Sequence, residues 1–266
     1  MDNNKPIGIF DSGVGGLTVL KEILKVLPNE SLIYLGDTAR VPYGTHGKEV
    51  ITKFALEMTQ FLLKHKVKFL VVSCNTISAT CLHKIEAFSP VPVLGVIDSA
   101  VKQALQTTKT QHIGVIGTRA TISSGVYEKK LKKINPKVKV VTQSCSLFVP
   151  LIEEDLISHQ ATQHIAEDYL SKFSSANIDT LILGCTHYPL LSDSIKKVVG
   201  KNVTLVDSAQ PTANELKKIL EEKGLLNQQG SPTYEFYITD APERATKVAQ
   251  KFFGKLLPGK LIKISL

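Results

Sequence analysis

The chain has no apolar run near the roughly 20 residues that a membrane-spanning helix needs. Residues 1–6 lack the apolar core of a secretory signal, so the expected location is the cytoplasm, where thiols stay reduced. Cys74, Cys81, Cys145 and Cys185 show no C-x-x-C spacing, which argues against zinc knuckles and thioredoxin-like redox motifs. Cys81 and His83 are two donors without a second cluster, so no metal is expected. There is no basic stripe with interleaved aromatics, although the net charge is +8. The lysines are spread over helix-like segments, as at Lys129, Lys130, Lys132 and Lys133, which reads as a solvated surface and not a nucleic-acid site. That charge can still concentrate an anionic substrate.

Cofactor signatures are missing as well. After Gly13 and Gly15 the third glycine falls at position 16, and Thr18 stands where a dinucleotide fingerprint needs glycine. Gly47-Lys48 is followed by Glu49, with Pro42 in place of the leading glycine of a P-loop. No lysine occupies a strand-end loop suited to a pyridoxal Schiff base. The chemistry is therefore expected to be cofactor-free.

What is present is an ordinary globular composition, 43% hydrophobic and 21% charged, over 266 residues. That length holds two modest domains. Two stretches organise it. Residues 68–76 run Lys-Phe-Leu-Val-Val-Ser-Cys-Asn-Thr, and residues 180–189 run Thr-Leu-Ile-Leu-Gly-Cys-Thr-His-Tyr-Pro. A short continuous aliphatic run reads as a buried strand of a parallel sheet. Each cysteine then sits at a strand's carboxyl end, where open α/β sheets place their ligand crevices.

Strands are expected at 7–10, 31–35, 93–96, 139–142 and 203–206, and another opens at His112. Helices are expected at 17–27, 48–65, 78–86, 98–107 with Asp98 or Ser99 as cap, after the polar turn that reaches Thr121 to about 133, at 158–173 and at 191–199. Two glycine-rich polar segments, 11–16 and 36–47, interrupt the first half, and long loops of the second kind are often functional. Strand, polar loop and helix repeat through both halves, as in a diverged duplication. The expected fold class is α/β: two similar domains with mainly parallel sheets, related by a pseudo-twofold, with the site in the cleft between them. The tail carries helix-like stretches at 214–223 and 245–253 and strands near 234–238 and 261–264. It is too small for a domain and is expected to pack on the first half. The boundaries become 1–97 plus 210–266, and 98–209.

One thiol with His187 beside it would suit nucleophilic catalysis. Two equivalent thiols suit a reaction that is its own mirror image, in which one removes a proton from a carbon and the other returns one to the opposite face. A carbon α to a carboxylate is a very weak acid, and general acid–base help supplies only about 10²–10⁴-fold. Preorganised donors must meet the developing charge, and Ser12, Asn75, Thr76 and Thr186 are candidates. Asp11 can tune Cys74, His187 can tune Cys185, and Glu153 can support His187. Cys81 and Cys145 read as structural.

Four motifs then form a set: Ile9-Phe-Asp-Ser-Gly-Val-Gly-Gly-Leu17, Gly36-Asp-Thr-Ala-Arg-Val-Pro-Tyr-Gly44, Ser73-Cys-Asn-Thr76 and Leu183-Gly-Cys-Thr-His-Tyr-Pro189. In this order they closely resemble the glutamate racemases of the bacterial cell-wall pathway, and the resemblance runs essentially end to end. It implies cofactor-independent interconversion of L- and D-glutamate, supplying D-glutamate for peptidoglycan and so for cell shape. It implies that Cys74 deprotonates D-glutamate and Cys185 acts on L-glutamate, assisted by Asp11, His187 and Glu153. Asp11, Ser12, Tyr43, Gly44, Asn75, Thr76, Thr186 and His187 match the substrate-binding positions, with Thr118 and Thr121 as weaker candidates. Members are commonly homodimers, and some bind DNA gyrase, for which no segment here identifies a surface. Some carry an N-terminal extension tied to activation by a cell-wall precursor. This chain starts only a few residues before its first strand, so that activation is not expected. The competing expectations are a racemase of aspartate or another acidic amino acid, and a non-catalytic protein that closes two lobes on an amino acid.

Overall fold

The computed structural model describes residues 3–228, 230–253 and 257–266. Met1 and Asp2, at the head of the segment read as lacking a secretory signal, lie outside the described residues, as do Gln229 and 254–256 of the tail. The first half alternates β1 (Ile7–Asp11), α1 (Leu17–Val26), β2 (Leu32–Gly36), α2 (Lys48–Lys64), β3 (Phe69–Val72), α3 (Asn75–Phe88) and β4 (Val93–Gly95). The second begins with α4 (Ile97–Thr107), β5 (His112–Gly117), α5 (Arg119–Ser123), α6 (Val126–Ile134) and β6 (Lys139–Ser144). It continues through α7 (Phe148–Glu153), α8 (Gln160–Leu170), β7 (Thr180–Gly184), α9 (Ser192–Val199) and β8 (Thr204–Val206). The tail supplies α10 (Ala209–Glu222), β9 (Tyr234–Ile238), α11 (Pro242–Phe253) and β10 (Leu261–Lys263).

Among the described residues ten strands form two sheets, ordered β10-β9-β2-β1-β3-β4 and β6-β5-β7-β8, and every pairing is parallel. The orders β2-β1-β3-β4 and β6-β5-β7-β8 correspond strand for strand, so each cysteine-bearing strand lies beside the strand that opens its half. Ile9 of β1 is in register with Tyr34 of β2 and Val71 of β3. Val115 of β5 is in register with Thr142 of β6 and Ile182 of β7. β1, β3 and β7 are buried at every position, as helices on both faces of a parallel sheet require. Among the described residues no helix is long and apolar enough to cross a membrane.

The tail strands extend the first sheet at its β2 edge, and α10 packs against α1. Both tail helices start earlier than their apolar spacing predicts, at Ala209 and Pro242 instead of 214 and 245. Pro211 and Pro242 fall in the first turn, where the missing N–H costs no internal hydrogen bond. The single helix expected after the polar turn, ending near 133, is two: one opens earlier, at Arg119, and the second follows Gly125, whose φ of +65° suits glycine. α3 begins at Asn75 and not at 78, so Cys74 takes its cap position. Asp98 lies in the first turn of α4 and Val96 takes the cap.

Beneath the first sheet lies a buried ion pair. Lys68 Nζ is 2.6 Å from Glu30 Oε2, with both side chains about 98–99% shielded from solvent (1% and 2% exposed). The ammonium also donates to the carbonyls of Asn3 (2.5 Å) and Leu225 (2.8 Å), and Glu30 Oε1 accepts from the Asn227 N–H at 2.7 Å. The pair therefore ties the tail segment after α10 to the starts of β1 and β3.

Candidate active site

The site is assembled at the carboxyl ends of β1, β3, β5 and β7. The glycine loop after β1 rests on β2, where the Tyr34 hydroxyl donates to the Gly13 carbonyl at 2.7 Å. The Gly16 N–H turns back to Asp11 Oδ2 at 2.6 Å. At Gly15 a Cβ would collide with Thr186 Oγ1 and lie 2.5 Å from His187 Nδ1, so the absence of a side chain lets the two halves meet. Gly44 plays the same part against Thr118, whose Cβ and Cγ2 fill the space where a side chain would go.

Cys74 follows β3 at the start of α3, and Cys185 follows β7. Both are nearly buried, at 4% and 7% exposure. Ser12 Oγ lies 3.4 Å from Cys74 Sγ and 3.5 Å from Asp11 Oδ1, so Asp11 reaches this thiol through Ser12. Asp11 Oδ2 also accepts from Thr186 Oγ1 at 3.4 Å, which links the carboxylate of one half to the cysteine loop of the other. On the far side His187 Nε2 stands 3.2 Å from Glu153 Oε1, and the imidazole meets Phe252 of α11 edge to face at 5.1 Å.

One narrow cavity takes in Ser12, Tyr43, Gly44, Cys74, Asn75, Thr76, Thr118, Cys185, Thr186 and His187. Asp11 and Glu153 stand behind this wall, and Thr121 hydrogen-bonds to Thr118 from outside it at 3.0 Å. The apolar liners Val41, Pro42 and Val149 carry no chemical signature and are not legible in sequence. Tyr43 differs from expectation in how it can act. Its hydroxyl donates to Asp37, which also accepts from Arg40 Nε (2.6 Å) and Thr239 Oγ1 (2.8 Å). Tyr43 borders the cavity while its ring packs against Phe54 and its hydroxyl braces the loop at Asp37. Cys81 and Cys145 are fully buried away from the site, and His83 is exposed, so Cys81 and His83 do not converge.

The free volume of the cavity is about 20 Å³, room for a single water molecule. In this closed state burial, then the Asp11 charge, push the Cys74 thiol up to about 12, against the opposing pull of the Ser12 hydrogen bond. Burial raises the Cys185 thiol well above its ordinary value as well, opposed by the His187 N–H. The charges of Cys74, Asp11 and Glu153 add to that rise. Both shifts favour the neutral thiol, and a cation held between the two would oppose the effect of the nearby carboxylates. Because only the thiolate alkylates, modification of Cys74 by iodoacetamide should climb about tenfold per pH unit from 8 to 10. An ordinary thiol levels off past about 8.5. Peptide mass spectrometry reads the rate, and a plateau by pH 9 would contradict this electrostatic picture.

Two thiols at matching strand ends line one cavity, with a carboxylate behind one and an imidazole–carboxylate pair beside the other. Fold and site together are those of an amino-acid racemase. The chain belongs to the Asp/Glu/Hydantoin racemase family, whose profile matches residues 7–216. A glutamate racemase of Geobacter metallireducens is 47% identical over 265 residues, covering 98% of this chain and 97% of its own. The crystal structure of a glutamate racemase isoform from Bacillus anthracis superposes with a TM-score of 0.94 at 39% identity, over 99% of this chain and 98% of that one. Glutamate racemase from Francisella tularensis, solved in complex with D-glutamate, superposes with a TM-score of 0.93 at 40% identity over the same shares.

Proposed function

We propose that this chain interconverts L- and D-glutamate by paired thiols without a cofactor. The observation that carries the reading is that Cys74 and Cys185, from corresponding strands, line one cavity. The substrate is taken from the relatives named above, which match over nearly the whole chain. Cys74 as thiolate takes the α-proton of D-glutamate, and the Cys185 thiol gives its proton to the opposite face. The product is L-glutamate, with Cys74 now a thiol and Cys185 a thiolate, and the return reaction reverses each step. Ser12, Asn75, Thr76 and Thr186 hold the α-carboxylate while charge builds on it. His187 assists from the cavity wall, with Glu153 behind it, and Asp11 assists from outside that wall.

The two lobes are 1–97 with 210–266, and 98–209. They part to admit substrate, since the closed cavity holds far less than an amino acid. The product D-glutamate would feed peptidoglycan synthesis in the cytoplasm, and the working form would be a homodimer.

Circular dichroism tests the substrate directly. A solution of L-glutamate should lose its signal entirely on adding the protein alone, and in deuterated water both enantiomers should gain α-deuterium. Faster decay of L-aspartate under the same conditions would overturn the choice of substrate. Tight glutamate binding without turnover would replace catalysis with mere capture.

A further inference from the structure

Tyr127 is absent from the sequence motifs and does not line the cavity, yet it touches both cysteine-bearing turns. It lies on α6 in the second half and is only 2% exposed. Its hydroxyl donates to Asn75 Oδ1 at 2.6 Å, reaching the residue that follows Cys74. Its ring lies against the residue that precedes Cys185: a Cβ on Gly184 would be 3.2 Å from Tyr127 Cε2. The Asn75 amide is gripped from its other end by Ser208, which accepts from Nδ2 at 3.4 Å. Ser208 lies just past β8 and is 3% exposed.

We infer that Tyr127 is a positioning residue that sets the spacing of the two thiols, holding the Cys74 turn through its hydroxyl and the Cys185 turn through its ring. This rests on the two-thiol reading above. A tyrosine buried to this degree keeps its proton, because burial and then the Cys185 charge hold its pKa far above the ordinary range. Its hydroxyl is thus a permanent donor and takes no part in proton transfer. The Asn75 carbonyl is committed to it, which leaves the remaining amide hydrogen and the main-chain N–H of Asn75 for a ligand. The orientation of that amide, and with it the start of α3, depends on a residue from the opposite lobe. The grip is made only when the lobes are together, so it couples closure to alignment.

Tyr127→Phe keeps the ring and removes the hydroxyl. It should leave Cys185 in place and loosen only the Cys74 side. Racemisation has an equilibrium constant of one, so kcat/KM must fall equally in both directions and cannot tell which thiol is affected. The primary isotope effect can. With Tyr127→Phe, kcat should fall about tenfold. The isotope effect on α-deuterated D-glutamate, whose proton Cys74 removes, should rise, while that on α-deuterated L-glutamate should not. Ser208→Ala, which releases the other end of Asn75, should shift the isotope effects in the same sense and serves if the phenylalanine variant does not fold. Wild-type kinetics in both variants would overturn the inference, as would isotope effects that change alike for the two enantiomers. If the unmodified protein does not racemise glutamate, the two-thiol reading fails instead, and that assay is run first.

Discussion

Serine at position 74 or at position 185 is expected to leave the fold intact and to remove racemisation, with kcat lower by on the order of 10³-fold or more. Serine is the nearest match in shape, so the nearly closed packing around each sulfur is disturbed little. What changes is acidity, since a hydroxyl in this buried setting cannot supply the base. The two variants should also differ from each other. With Cys74 replaced, Cys185 can still remove and return the α-proton of L-glutamate on one face. In deuterated water L-glutamate would then exchange its α-proton without inverting, and D-glutamate would stay inert. With Cys185 replaced, the pattern should reverse. Proton NMR of the α-position reads both, and full turnover by either variant would end the paired-thiol mechanism.

The largest effect on stability should come from far below the site. Lys68→Met leaves Glu30 charged and buried and strips donors from the Asn3 and Leu225 carbonyls. Removing one partner of a buried pair costs about 3–5 kcal/mol. For a chain of this size that lowers the melting temperature by roughly 10 °C. Pairing Lys68→Met with Glu30→Gln should recover part of the loss, because the stranded charge is gone while the carbonyls remain unpaired. Urea or thermal unfolding of the two single variants and the double measures the coupling. An unchanged midpoint for Lys68→Met would show that water reaches the pair.

How much of this could be read from the chain alone differs between the residues that carry chemistry and those that hold them in place. Cys74 and Cys185 stand out because a buried parallel strand is an unbroken aliphatic run, and the residue where it stops is the one at the crevice. The glycine loop stands out by composition, but the reason for Gly15, the approach of the Thr186–His187 turn from the other half, is visible only in the structure. The neighbouring roles are not legible. Tyr43 lies in a recognisable motif, but nothing local says that its hydroxyl turns inward to Asp37. Tyr127 and Ser208 reach Asn75 across sequence separations of 52 and 133 residues, and no periodicity records such a pairing. The starts of α10 and α11 are hidden in the sequence because Pro211 and Pro242 break a helical pattern anywhere but in its first turn.

The strand order carries a consequence for how the chain is made. β5 to β8 are complete once residue 206 has left the ribosome, so the smaller sheet has all its partners early. The larger sheet does not. β2 lacks its outer neighbour until residues 234–238 emerge, about two hundred positions after it was synthesised. Through most of translation the nascent polypeptide therefore displays a strand margin of unpaired N–H and C=O groups flanked by largely apolar side chains, the kind of surface that recruits chaperones or another copy of itself.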